Sequence, residues 1–544
     1  MGDRDATELA VVVTGSDLGT LGPAPEHVGG ASLFRLPPLA RGAETRFSVG
    51  LFLSGPGSHE VAIAVRAHDV AEVDLGPVAL TGVAGDPGPP DPVAFGAVPA
   101  AATASLAPIA AQPPGTAATA PPATGLVAPA FSAPVTLGAD DPRYRGGEPT
   151  LQVGPTGTLW LTEVGPAQIW RSTDGGASWA SVPPPLANGG DDLDAAEDGR
   201  GRLHVVDQSH DCGFYYRSSD GGGTFERVQA TRGGGRWIDA PGDCQRTGSL
   251  PFDRGWVRTF GPDVVYIADK ESGHTAVEVS SDGGDTFTYI RRDTGEVSGA
   301  AIDPLDGTLY LLYQEGGAFD AQRGAMVQPS VLADATLDGG RTFTTARVVD
   351  RPGHDVGGGF ATAAVDRDHN VYVAWSDDSD GTYQIYLSAS RDHGRTWSAP
   401  LRVSSPRGAN VYPTVVAGDP GRVAVAWYGT SDPARSRSDA PDARWSVYVA
   451  LTVDALALRP TLVETTVAPT PFHRGPICAH VSQCDGYDTT KAQLPPGYEA
   501  GIADFFGMTL ARDGPLVVAW TDTGGGRPKD MVARQVAGTR LSGR

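Results

Sequence analysis

From about residue 149 onward, apolar residues come in short blocks broken by Gly, Asp and Pro, and seven of these blocks share one form. They are Leu159-Trp160-Leu161-Thr162-Glu163, Leu203-His204-Val205-Val206-Asp207, Val265-Tyr266-Ile267-Ala268-Asp269, Leu309-Tyr310-Leu311-Leu312-Tyr313, Val371-Tyr372-Val373-Ala374-Trp375, Val423-Ala424-Val425-Ala426-Trp427 and Leu516-Val517-Val518-Ala519-Trp520. Blocks this short, rich in β-branched and aromatic residues and bounded by turn formers, read as buried strands rather than helices. Each is preceded by a shorter apolar run, such as Pro149-Thr150-Leu151-Gln152-Val153 or Pro413-Thr414-Val415-Val416. Each is followed by a third run that, in five units, leads into a recurring turn.

That turn reads Ser/Thr-x-Asp-x-Gly-x-x-aromatic. Its copies are Ser172 to Trp179, Ser218 to Phe225, Ser280 to Phe287, Thr336 to Phe343 and Ser390 to Trp397, centred on Asp174, Asp220, Asp282, Asp338 and Asp392. The Asp carboxylate and the hydroxyl can bond back to turn amides, the glycine supplies a positive φ, and the aromatic is expected to point into the core. The sixth unit keeps only Thr452-Val453-Asp454, and the seventh lacks the turn. Strand, strand, strand, Asp turn, strand makes a four-stranded antiparallel blade. Seven such units predict an all-β, seven-bladed β-propeller, or a six-bladed one if the second or third unit is not a full blade.

Ahead of the repeats, residues 1–84 alternate in segments such as Leu9 to Val13, Arg46 to Leu53 and Glu60 to Val65, the pattern of a small β-sandwich-like domain. Residues 85–134 turn to Ala, Pro, Gly and Thr, a composition that cannot bury enough apolar surface to offset its ordering entropy and is expected to be a linker. The propeller is expected over 135–544.

Composition narrows the function. A net charge of -22 disfavours nucleic acid and anionic membrane surfaces as partners. All but three of the 42 basic residues are arginine, so an isolated arginine here says little. No apolar run reaches the length of a membrane span, and the first residues lack the apolar core of a signal peptide. The four cysteines pair by proximity as Cys212 with Cys244 and Cys478 with Cys484. Disulfides are the expectation, which places the protein in a secreted or cell-surface setting. A metal site is the competing reading of these cysteines, but neither pair has CxxC spacing and no histidine cluster supports it.

The five turns resemble Asp boxes, and the chain from about Phe131 to Leu541 resembles the sialidase superfamily of Asp-box (BNR-repeat) propellers. The resemblance implies that the turns act structurally on the face opposite the functional one. Blade connectivity puts the loops after the second and fourth strands on that functional face, and the long insertions are of this kind: 207–214, 231–256, 314–330, 351–359, 431–444 and 466–503. The resemblance also implies an arginine clamp for a carboxylate, a Tyr nucleophile activated by Glu, and an Asp acid/base. Here Tyr144-Arg145-Gly146-Gly147-Glu148-Pro149 keeps Tyr-Arg and a Pro but inserts residues between Arg and Pro and has no Ile. Arg145 is the candidate first-blade arginine, against a surface arginine at a domain junction. Arg236, Arg246, Arg254, Arg351, Arg407 and Arg474 also fall in or beside the loops of that face. Tyr412 heads an inner strand and is either a channel-facing or a packing tyrosine.

Acidic residues at inner-strand heads, Glu148, Asp191, Asp192, Asp355 and Asp504, supply the carboxyls a glycosidase needs, or else cap strands and hold water or a structural cation such as calcium. No other cofactor is implied. No Gly-x-Ser-x-Gly elbow, His-Glu-x-x-His or Walker loop is present. The expected function is a secreted, monomeric, sialidase-like propeller that binds carbohydrate or an extracellular protein through its loop-rich face, without an intact sialidase site. The alternative is a glycoside hydrolase, of exo-sialidase type or using a carboxylate pair at the channel mouth.

Overall fold

The computed structural model divides into two compact units, Met1–Pro122 and Ala123–Arg544. In the first it describes the backbone of seven strands between Ala10 and Gly82. In the second it describes residues 125–542 apart from 142–143, 164–167, 184–191, 210–211, 228–230, 233–252, 272–273, 316–317, 321–324, 406–407, 432–442, 469, 476, 478–501, 503–504 and 525–527. In the first unit, Glu26–Val28, Ala31–Arg35, Ala10–Thr14, Gly57–Ala67 and Val70–Gly82 form one sheet in that order, and Leu18–Leu21 pairs with Gly50–Leu53. All these pairings are antiparallel, as the alternating sequence predicts.

The second unit is a seven-bladed β-propeller. The inner strands are Thr150–Val153, Leu193–Glu197, Asp253–Phe260, Val297–Ile302, Thr362–Val365, Asn410–Ala417 and Gly507–Leu510. The seven apolar blocks form the second strands and are almost wholly buried, because blades pack against them on both faces. Blades 1 to 6 each add a third and a fourth antiparallel strand. Blade 7 is completed from the other end of the chain: Ala130–Phe131 and Val135–Thr136 pair with its third strand, Lys529–Ala537, which closes the ring.

The Asp turns join third and fourth strands as the sequence predicts. In the first, the Ser172 hydroxyl donates to Asp174 Oδ1 (2.8 Å), and the amides of Ala177 and Ser178 donate to the same oxygen (3.0 and 2.9 Å). Gly176 N donates to Ser172 Oγ (2.9 Å). The hydroxyl bond, the bond from the amide four residues after the Asp and the glycine amide bond recur around Asp220, Asp282, Asp338 and Asp392. The sixth, degenerate turn keeps its core, with Thr452 Oγ1 donating to Asp454 Oδ1 (2.7 Å). The turn aromatics do not all reach the interior: Phe287 is buried, while Trp179, Phe225, Phe343 and Trp397 are half-buried against blade cores. Their strands are the outermost of each blade, where one side faces solvent. Among the described residues, no helix is long and apolar enough to cross a membrane.

Candidate ligand site at the channel mouth

The inner strands line a central cavity of about 350 Å³. Its wall mixes Val, Ala, Leu and Ile with Thr150, Thr362, Thr414 and Thr509, and it is crossed by a polar chain that links four blades. Gln152 of blade 1 donates to Asp194 Oδ1 of blade 2 (2.8 Å), Arg258 of blade 3 donates to Asp194 Oδ2 (2.8 Å), and Arg258 Nε donates to the Ala300 carbonyl of blade 4 (2.9 Å). Val257 N also donates to Asp194 (3.0 Å), so this buried carboxylate is matched by three donors.

Where the inner strands begin, on the face of the long loops, three aromatics from separate blades meet. Phe360 precedes the inner strand of blade 5 and Phe505 that of blade 7; their rings stack at 4.8 Å and 15°. Trp256 of blade 3 stands edge-on to each at 6.4 Å. The Arg254 guanidinium lies over the Phe505 ring, 3.2 Å from its centroid. Arg254 takes a positive φ of 47°, sparsely populated for a non-glycine residue, and its amide donates to Gln208 Oε1 (2.9 Å). Its NH1 lies 3.4 Å from Asp192 Oδ1, while its buried Nε has no hydrogen-bond partner among the described residues. Lys270 Nζ sits 6.0 Å from the Phe360 ring and 3.8 Å from Glu296 Oε2. Arg254 and Trp256 are 3% and 5% exposed and the two phenyl rings cover each other, so the half-buried Phe360 and Phe505 are what this cluster presents at the mouth.

The sequence candidates fall in several places. Asp192 is half-buried and belongs to this mouth through Arg254. Asp355 is buried and staples its own loop: Oδ1 accepts from Gln328 N (2.8 Å) and Gly357 N (3.1 Å), and Oδ2 accepts from Tyr383 OH. Tyr412 is buried with φ of 57°, packed on Tyr428, and its amide donates to the Gly358 carbonyl (2.9 Å). Arg145 is exposed and Glu148 half-buried with φ of 49°. Arg351 bonds Asp377 (2.9 Å) and Arg474 is exposed. Asp191, Asp504, Arg236, Arg246, Arg407, Cys244, Cys478 and Cys484 lie outside the described residues, as does the side chain of Cys212.

Beneath Arg145 lies a buried acidic cluster that ties the first blade to the last. Tyr144 OH donates to Glu163 Oε1, as does Trp170 Nε1 (2.6 Å). Asp530 accepts from Thr521 Oγ1 (2.6 Å) and Gly147 N (3.3 Å). Burial, then the Asp530 charge, pushes Glu163 well above the usual carboxyl range, and burial pushes Asp530 up to about 6. The Tyr144 phenol is raised too, by burial and then the Asp530 charge. Both shifts, of Glu163 and of Tyr144, favour the protonated group, which makes Glu163 a poor base for Tyr144.

Arg254 stood among the loop arginines in the sequence, but Trp256, Phe360 and Phe505 did not stand out. The signal for two of them is positional: Phe360 and Phe505 each stand two residues ahead of an inner strand.

No protein-family model matches the chain. It is 24% identical over 250 residues to a xyloglucanase of Hypocrea jecorina (strain QM6a), covering 42% of this chain and 28% of that protein. It is 25% identical over 270 residues to a xyloglucanase of Paenibacillus sp, covering 46% of this chain and 24% of that one. The chain thus matches only about a quarter of the length of these curated relatives. Among solved structures, YCF48 bound to D1 peptide aligns at 12% identity and TM-score 0.44, covering 77% of this chain and 99% of that one. The NanB sialidase from Streptococcus pneumoniae aligns at 10% identity and TM-score 0.36, covering 98% of each chain.

Proposed function

We propose that the propeller binds a polysaccharide at the loop-face mouth of its channel. The observation that carries this reading is the aromatic and guanidinium cluster of Trp256, Phe360, Phe505 and Arg254. Pyranose rings present C–H faces that pack on aromatic rings and equatorial hydroxyls that accept from a guanidinium. The similarity to xyloglucanases supports xyloglucan as the ligand. In this reading the Asp turns serve as structural Asp boxes on the other face, and the protein works outside the cell, where such polymers occur.

Affinity electrophoresis and calorimetry with xyloglucan oligosaccharides test the binding. Phe505→Ala and Arg254→Ala are each expected to weaken it at least tenfold, consistent with a loss of about 1.4 kcal/mol per contact. Full-affinity binding in both variants, or no binding to any polysaccharide by the parent protein, would refute the site. The second reading, hydrolysis of the same polymer, rests on those relatives and on Asp192 beside Arg254. Release of reducing ends that Asp192→Asn abolishes would establish it, and binding without release would leave the protein a lectin-like module.

A further inference from the structure

Among the described residues, five non-glycine residues have a positive φ, and two of them are histidines of blade 5: His369 at 61° and His393 at 57°. Both stand where the repeat otherwise places glycine. Two residues ahead of the second strand, blades 1, 2, 4, 6 and 7 carry Gly157, Gly201, Gly307, Gly421 and Gly514, all at positive φ, and blade 5 carries His369. Directly after the Asp of the turn, four copies carry Gly175, Gly221, Gly283 and Gly339, again at positive φ, and the fifth carries His393. A side chain at such a position is strained relative to glycine.

The two strained side chains converge. Their ring centroids are 5.5 Å apart, and both face the first turn of blade 4. His369 Nδ1 lies 2.8 Å from Asp303 Oδ2 and 3.5 Å from Asp306 Oδ2. One ligand atom each from Asp303, Asp306 and His393 lies within 4.8 Å of the others. Asp303 is fully buried, whereas the side chains of Asp306 and His369 are 26% and 38% exposed, so the cluster opens to solvent on one side. Tyr310 OH is 3.3 Å from His393 Nδ1, which orients that ring.

We propose that Asp303, Asp306 and His393 bind one zinc-class divalent cation that clamps blade 4 to blade 5, with His369 held beside them on the two carboxylates. One imidazole nitrogen and two carboxylate oxygens suit Zn²⁺, whereas Ca²⁺ takes six to eight oxygens and Mg²⁺ an octahedron of them. Three protein ligands leave a fourth position for water, and the site lies on the face of the Asp turns, away from the channel mouth.

The test uses the full chain, stripped of metal by chelator and then titrated with Zn²⁺ while binding stoichiometry and thermal unfolding are followed. One equivalent should bind and raise the unfolding temperature, Ca²⁺ and Mg²⁺ should not, and Co²⁺ should give the visible absorption of a four-coordinate site. His393→Gly restores the glycine of the other repeats, so the variant should fold with a metal-free unfolding temperature no lower than the parent's, yet lose the Zn²⁺-induced rise. A parent protein that Zn²⁺ does not stabilise, or a His393→Gly variant that keeps the full rise, would overturn the proposal.

Discussion

The Glu163 and Asp530 pair makes the propeller's stability fall as pH rises from acid towards neutral, against the habit of acidic proteins. The perturbation is a pH series from 5 to 8, repeated with Asp530→Asn. Burial raises Asp530 from an ordinary 3.8 to about 6. A carboxyl whose folded pKa lies above its unfolded one binds its proton more tightly when folded. Its stabilisation is therefore complete below about 3.8 and is lost as pH rises through about 6. The free energy involved is about 3 kcal/mol for Asp530, and Glu163, raised in the same direction, adds to it. For the unit Ala123–Arg544, an unfolding entropy of about 2.1 cal/mol/K per residue gives roughly 0.9 kcal/mol/K, so Asp530 alone should shift Tm by about 3 °C across its whole window, of which about half, roughly 1.5 °C, falls above pH 5.

The Asp turns act in a lower window with the opposite sign. Asp174 and Asp392, slightly desolvated but bonded by the turn hydroxyls and amides, and Asp220, bonded by the Thr224 amide and then the Ser218 and Thr224 hydroxyls, titrate at about 2. Their contribution is present above about 3.8 and is lost as pH falls through about 2. Differential scanning calorimetry should therefore show the highest Tm near pH 4 to 5, with a fall towards pH 8 that Asp530→Asn flattens. A Tm flat from pH 5 to 8, or an unchanged slope in the variant, would refute the assignment of a proton to this pair.

Two further outcomes follow from the packing. In the turn of blade 4, a Cβ on Gly339 (φ 71°) meets open space, whereas one on Gly340 (φ 86°) comes within 2.6 Å of Ile290 Cδ1. By urea denaturation, Gly339→Ala should cost about 1 kcal/mol from backbone strain alone, and Gly340→Ala a further 1 kcal/mol or more. Arg258→Met removes the cation from Asp194, whose side chain is 3% exposed, and should cost about 3 kcal/mol, recovered in large part by a second change of Asp194 to Asn. Equal stability of the single and double variants would show that the Asp194 charge is not what the arginine offsets.

The blades were legible because a second strand buried on both faces must be a continuous apolar block, and seven such blocks at turn-bounded spacing admit few arrangements. The blade count resolved to seven because the second and third units each form a full sheet. The closure was not legible. The strands Ala130–Phe131 and Val135–Thr136 are two residues each, too short to carry a pattern, and the first lies within residues 85–134, where the composition reads as linker. The channel mouth was half legible: loop lengths pointed to the end of the blades where Trp256, Phe360 and Phe505 meet, but contacts among residues more than a hundred positions apart leave no local trace. The histidine pair was invisible for the same reason, since His369 and His393 reach Asp303 and Asp306 only through the packing of neighbouring blades.

Departures from the repeat also divide the ring. The residue closing each second-strand block is a carboxylate in blades 1 to 3, namely Glu163, Asp207 and Asp269, and an aromatic in blades 4 to 7, namely Tyr313, Trp375, Trp427 and Trp520. All seven are buried. An aromatic at a dry position contributes area and is largely self-sufficient, as Trp427 is with one bond to Asn410 (2.8 Å). A carboxyl there must be protonated or matched by donors, which constrains everything around it. The chain Gln152, Asp194, Arg258 and the mouth pair Asp192, Arg254 lie in that same sector of blades 1 to 3. In the proposed site a ligand beside Phe360 and Phe505 would face the charged and amide groups of blades 1 to 3 on one side and the Ala, Val and Thr positions of blades 4 to 7 on the other, an asymmetry by which a near-symmetric ring would orient what it holds.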